Sequence, residues 1–169
     1  ALETEAHAQI DGKGQRRSAD YRQAYIDWLH QDVVLTRSFS LSLEGMNGSM
    51  GELARDVLTQ MGCEVSGINL EADGHFPQGA PDPSRPDRLM DLSNDIVISG
   101  SELGLAFDGD GDRLVVLDSQ GRQVSPDHLL MLFAKMVLEL RPGTDVIYDV
   151  KSTRSLNSII TQAGGRPVM

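Results

Sequence analysis

The sequence has one cysteine, Cys63, and one tryptophan among its 169 residues. A single thiol closes no intrachain disulfide and builds no thiolate zinc cluster. A chain of this length buries a sizeable core without such staples. Basic residues are also scarce: Lys+Arg is 15 against Asp+Glu 25, for a net charge of -10. That is the wrong sign for a general nucleic-acid binder, which must neutralise phosphates, and for a protein held on anionic lipid. No apolar run approaches the ~20 residues of a membrane-spanning helix. The opening ALETEAHAQI is acidic and lacks the basic and apolar regions of a signal peptide. The expectation is a soluble cytoplasmic protein without nucleic-acid or membrane partners. What is present, 40% apolar and 24% charged residues, is a globular balance rather than a disordered one.

Residues 1–18 read as a lead-in, broken by Gly12 and Gly14. From 19 to 29, Tyr21, Tyr25, Ile26 and Leu29 recur at spacings of three and four, a helix face, with Ser18 or Asp20 as its cap. Residues 38–43 alternate polar and apolar, which predicts a strand. The glycine-rich turn Glu44-Gly45-Met46-Asn47-Gly48 follows. A helix is predicted over 50–61, with Leu53, Val57 and Leu58 on one face and Gly62 as its stop, then a strand over 63–70. Strand, turn, helix and strand make a βαβ unit.

Pro77, Pro81, Pro83 and Pro86 force an irregular loop over 74–86. Residues 88–98 read as a helix, although Asp-Ile-Val-Ile is also strand-like. Residues 103–107 fit a buried strand and 114–117 another, with 122–124 returning as a hairpin partner. Pro126 opens a long amphipathic helix, 127–140, carrying Leu129, Leu130, Leu132, Phe133, Met136 and Val137. Then come a strand over 145–150, a helix over 153–163, and the entry to a further strand at 166–169. A domain boundary falls near residue 125. Met50, Met61, Met131 and Met136 lie on helix faces and are expected in the core. Cys63 is expected as a small buried hydrophobe.

The strongest chemical signal is Asp108-Gly109-Asp110-Gly111-Asp112-Arg113. In a loop that curls around a point, alternate positions face one centre, and the intervening glycines permit the tight curvature. Three carboxylates so close repel one another unless a cation sits among them. A hard divalent ion with oxygen ligands, Mg²⁺ or Ca²⁺, answers that need. The loop also follows a strand end, where open α/β sheets place ligands. A solvated Asp-Gly turn is the bland alternative, and three alternating aspartates after a buried strand weigh against it. An EF-hand is excluded, since its sixth position needs Gly and its twelfth Glu, whereas Arg113 and Ser119 stand there. Arg113 beside the carboxylates suits a phosphate clamp. Metal and arginine together equip a site for phosphoryl transfer.

LGLAFDGDGDR resembles the metal-binding loop of the α-D-phosphohexomutase family, and within it the bacterial phosphomannomutase/phosphoglucomutase group. EGMNGSMG is similar to the family's turn D-x-G-N-G-x-x-G, with Glu44 where Asp is usual. EADGHFPQGAPDPSRPDRLMDL resembles its stretch D-G-x-F-P-x-x-x-P-x-P-x-x-P-x-x-L. SPDHLLMLFAKMVL and YDVKSTRSL resemble the segments that open its next domain. The resemblance runs from about residue 19 onward, in the family's order. It implies an α/β fold: a three-layer αβα domain with a mixed sheet over 19–124, the family's second. Residues 1–18 would be the tail of the first domain, and 125–169 a partial second α/β domain, the first part of the family's third.

The resemblance also implies a mechanism. A phosphoserine passes its phosphoryl group to a hexose phosphate, mannose or glucose 1- or 6-phosphate. The bisphosphate intermediate turns over and returns a phosphoryl group from its other end. By matching positions, Asp108, Asp110 and Asp112 would be Mg²⁺ ligands, Arg113 the phosphoryl-side arginine, and Lys151 a lysine lining the active site. The family's serine motif, T-A-S-H-N-P, and its sugar loop, G-E-x-S-G-H, occur nowhere in the 169 residues. The expectation is that the site works with the remaining mutase domains and that this chain alone has no turnover.

Two other readings stay open. One is an aspartate-nucleophile phosphatase of the haloacid dehalogenase kind, although Asp112 stands where that family wants Thr or Val. The other is a non-catalytic metal-binding or interaction module. Ser49 has no His or Lys placed to activate it, and His75 and His128 stand at no metal-ligand spacing.

Overall fold

The computed structural model describes residues 14–169. Helix α1 (Arg22–His30) leads into β1 (Ser40–Glu44), α2 (Gly51–Gln60) and β2 (Glu64–Ile68). A long loop and a 3-10 turn, Pro86–Leu89, run into α3 (Met90–Ser99), followed by β3 (Leu103–Phe107) and β4 (Leu114–Asp118). The four strands form one mixed sheet in the order β2-β1-β3-β4. β1 pairs in parallel with both β2 and β3, and β4 returns antiparallel to β3. Two right-handed crossovers that run in opposite directions from β1 and β2 place α2 and α3 on opposite faces of the sheet. The result is the expected three-layer α/β arrangement.

The face beneath α3 is built for close approach. Leu92 and Ile96 are fully buried among Met46, Leu89, Ala106 and Leu117. A Cβ on Gly104 would lie 2.3 Å from Ile96 Cδ1, so glycine is what lets the helix settle there. Around that contact the sheet presents hydroxyls. Ser42 Oγ bonds to Ser101 Oγ at 2.9 Å, and Ser66 Oγ donates to Asp95 Oδ2 at 3.1 Å. Buried polar groups left without partners would be costly, and the buried Ser42 and Ser101 satisfy one another. Cys63 is buried, as expected.

Helix α1 differs from its expected face. Ile26 is buried, whereas Tyr21 and Tyr25 are exposed, and Tyr21 precedes the helix. Polar bonds hold α1 to α2: Arg22 to Asp56 at 2.7 Å, Gln23 Nε2 to Gln60 Oε1 at 3.1 Å, and His30 Nε2 to the Val57 carbonyl at 3.1 Å. Tyr25 stacks on Trp28 instead of entering the core. β2 is shorter than its apolar run because Asn69 adopts φ 49, a left-handed angle that ends an extended strand.

Farther along, α4 (Pro126–Leu140), β5 (Asp145–Ile147), α5 (Ser155–Gln162) and β6 (Arg166–Val168) form a second, smaller unit with a two-stranded parallel sheet. Its core is Ala134, Leu138, Leu156 and Ile160, with Leu130, Met131 and Val146 packed against it. Positions 130, 134 and 138 are one helical stripe of α4. Met136 is off that stripe and 54% exposed, so it is not the core residue its apolar neighbours suggested. Leu132, Phe133, Val137 and Leu140 are exposed with it. β5 stops at Ile147, short of the expected 150, because Asp149 turns the chain: its Oδ1 accepts the Lys151 N–H at 2.7 Å and its carbonyl accepts the Ser152 N–H at 2.9 Å.

Candidate metal centre

The acidic loop lies between β3 and β4. Both strands are paired up to their ends, with Phe107 opposite Leu114. The Asp108 N–H donates to the Arg113 carbonyl at 3.3 Å, and the Gly111 N–H to the Asp108 carbonyl at 3.2 Å. Gly111 has φ 78, the angle that folds the aspartates inward and that glycine adopts without strain. Asp108, Asp110 and Asp112 each bring a carboxylate oxygen into one group, all within 4.8 Å of one another. Asp108 is buried and the other two face solvent.

Two neighbouring segments hold this loop. The glycine-rich turn after β1 packs on its back. Ser49 N–H donates to the Gly109 carbonyl at 3.0 Å, and a Cβ on Gly48 would lie 2.7 Å from that same oxygen. Met46 and Asn47 in this turn take positive φ, 49 and 56, which costs L-residues energy and persists only where contacts enforce it. Buried Glu44 supplies such contacts: Oε1 accepts the Met46 N–H at 2.7 Å, and both oxygens accept from Asn69 Nδ2. Burial pushes the Glu44 carboxyl above its ordinary range, against the pull of the Met46 N–H, Asn69 and Arg88. On the other side lies the proline-rich loop. A Cβ on Gly109 would sit 2.9 Å from Pro81 Cγ.

Arg113 joins these pieces. Its Nε donates to Asp108 Oδ2 at 2.6 Å, and its backbone N–H donates to Asp108 Oδ1 at 3.0 Å. Its terminal nitrogen reaches across to Asp82 Oδ1 in the proline-rich loop at 3.1 Å. Burial alone would raise the Asp108 carboxyl, but the Arg113 backbone N–H and guanidinium outweigh it and hold that carboxyl low. Asp112 goes the other way. Asp110 and Asp108 repel its negative form and raise it. That residual repulsion, in a set of hard oxygen donors, is what a divalent cation relieves.

The structure therefore brings together four of the five residues singled out in the sequence. Lys151 is elsewhere, exposed in the turn after β5. Among the described residues, no hydrogen bond or ion pair ties it to the acidic loop. Asp82 was missed. Its only local signal was an aspartate between two prolines, a pattern that reads as a turn.

A family model described as phosphoglucomutase/phosphomannomutase, alpha/beta/alpha domain II, matches residues 23–121. The chain belongs to the phosphoglucomutase/phosphomannomutase family. A phosphomannomutase/phosphoglucomutase of Pseudomonas syringae pv. tomato is 43% identical over 157 residues, covering 93% of this chain and 34% of the relative. A phosphoglucomutase of Neisseria gonorrhoeae is 40% identical over 168 residues, 99% of this chain and 36% of the relative. A solved phosphoglucomutase/phosphomannomutase family protein from Burkholderia thailandensis superposes with a TM-score of 0.86 at 41% identity, over 89% of this chain and 33% of that one. The chain thus spans about a third of the length of these family members. No described helix is long and apolar enough to cross a membrane.

Proposed function

We propose that this chain carries the metal-binding segment of a phosphohexomutase, an enzyme that interconverts hexose 1-phosphate and hexose 6-phosphate through a phosphoserine and a bisphosphate intermediate. The observation that carries the reading is the convergence of Asp108, Asp110 and Asp112 beside Arg113 at the end of β3. Those three carboxylates would hold Mg²⁺. When bound, the ion offsets negative charge on the transferring phosphoryl group. Arg113 orients that group through a fork of N–H donors that matches phosphate oxygens. Lys151 is assigned to the substrate side, after the strand end of the second unit. The divisions near residues 18 and 125 are proposed as domain boundaries. The nucleophilic serine and the sugar loop belong to other parts of such an enzyme, since neither motif occurs in these 169 residues.

The phosphatase reading is less favoured because Asp112 stands two residues after Asp110, where that family wants Thr or Val, and because three carboxylates converge where that reading needs two. Beryllium fluoride trapping at Asp108 would revive it.

The test is a chimera. Residues 19–169 replace the matching stretch of the Pseudomonas syringae relative, and conversion of glucose 1-phosphate to glucose 6-phosphate is measured. Turnover is expected in the chimera and not in this chain alone. It should fall in the chimera bearing Asp110→Asn or Arg113→Lys. A folded chimera whose turnover ignores both changes would overturn the assignment.

A further inference from the structure

The guanidinium of Arg113 is crowded by carboxylates: Asp108 at 2.6 Å, Asp82 at 3.1 Å and Asp112 at 3.9 Å. One positive charge faces three negative ones, so the arginine alone leaves the loop in acidic excess. Asp108 is the member in conflict, because both its oxygens already accept from Arg113 while one also belongs to the three-carboxylate group. Asp82 stands apart from that group and is fixed independently. Its Oδ1 accepts the Ser84 N–H at 3.1 Å and the Ser84 hydroxyl at 2.8 Å, and Pro81 and Pro83 stiffen the backbone on either side. Pro83 is fully buried.

We propose that Asp82 is a positioning residue: it retains the Arg113 guanidinium beside the acidic loop while a divalent cation takes Asp108 from Arg113 Nε. Arg113 is then an internal stand-in for the cation. When the ion arrives, one face of the fork becomes free for a phosphate oxygen and the other stays anchored to the proline-rich loop. Without Asp82 the freed side chain regains its rotamers, and ordering it again costs entropy. The inference rests on the reading of the acidic loop as a cation site.

The experiment is nitrogen-15 magnetic resonance of the full chain, with Mg²⁺ as the titrant. The Arg113 Nε–H signal is identified by its loss in Arg113→Lys. Expected in the wild type is a shift of that signal in step with the backbone amides of Gly109 and Gly111, while the guanidinium stays slow to rotate. In Asp82→Asn, where the amide oxygen still accepts from Ser84, Mg²⁺ should make the guanidinium rotate freely and its signal broaden or vanish. Asp82→Glu, which keeps a carboxylate, should restore retention. Unchanged amides in α2 and α3 verify the fold of both variants. Shifts at Gly109 and Gly111 with a fixed Nε–H signal would overturn the exchange and leave the cation site standing. No shift at any of the three would overturn the cation site and the exchange with it. Identical guanidinium behaviour in wild type and Asp82→Asn would overturn the role of Asp82.

Discussion

Gly48 and Gly109 meet backbone to backbone: a Cβ on Gly48 would lie 2.7 Å from the Gly109 oxygen and 2.9 Å from its Cα. Two loops 60 residues apart in sequence are thereby pressed together, and neither side has a flexible side chain that can yield. Gly48→Ala should cost about 1–3 kcal/mol, the usual penalty of forcing atoms into a packed site. The displaced loop should also bind Mg²⁺ more weakly. Urea unfolding and calorimetry check the two effects, and an unchanged unfolding midpoint would contradict the contact.

Removing one proposed ligand should separate affinity from stability. Asp110 is exposed and adds to the repulsion that raises Asp112. Asp110→Asn should therefore leave the cation-free protein as stable as before, or slightly more so. Its Mg²⁺ affinity should fall at least about tenfold as a charged ligand is lost. Calorimetric titration beside thermal unfolding gives both readings. An affinity equal to wild type would remove Asp110 from the ligand set.

Glu44 gives stability a pH dependence of distinctive sign. Burial, the largest influence, raises its carboxyl in the folded state above the unfolded value of about 4.5. The folded protein therefore keeps this proton to a higher pH than the unfolded chain does. The corresponding stabilisation is complete below about 4.5 and is lost as pH climbs through the raised folded value. Glu44→Gln does not titrate. The Tm difference between variant and wild type should move in the variant's favour as pH rises from about 4.5 toward neutrality. A constant difference across that window would show that burial does not govern this carboxyl.

Ile96 is a test of the core under α3. It is fully buried and reaches over Gly104. Ile96→Ala should lose about 2–5 kcal/mol, the cost of lost apolar burial together with the cavity left behind. A loss below about 1 kcal/mol in urea unfolding would mean that neighbouring side chains collapse into the space.

Much of the fold was legible because it rests on local signals. The alternation before Glu44, the helix stop at Gly62 and the apolar run 103–107 each declare an element within a few residues. The acidic loop was legible for the same reason, since its three aspartates and two glycines are contiguous. What stayed hidden depends on contacts distant in sequence. Asp82 is 31 residues from the arginine it meets. Nothing local marks Glu44 as a buried carboxylate, because its partner Asn69 arrives from the end of the neighbouring strand. Tyr25 and Met136 were misplaced because periodicity identifies an apolar stripe without saying how wide a surface exists to cover it.

The pairing of β3 with β4 on both sides of the acidic loop has a consequence for ion choice. The loop is clasped where Phe107 meets Leu114 and where the Asp108 N–H meets the Arg113 carbonyl. Widening it means unzipping two strands, and Pro81 and Gly48 brace it from either side. The backbone aperture is thus set by the architecture, and for an ion held there, adjustment to its radius would fall to the exposed Asp110 and Asp112 side chains rather than to the loop. Discrimination between small and large divalent ions should accordingly be a property of the sheet as much as of the three aspartates.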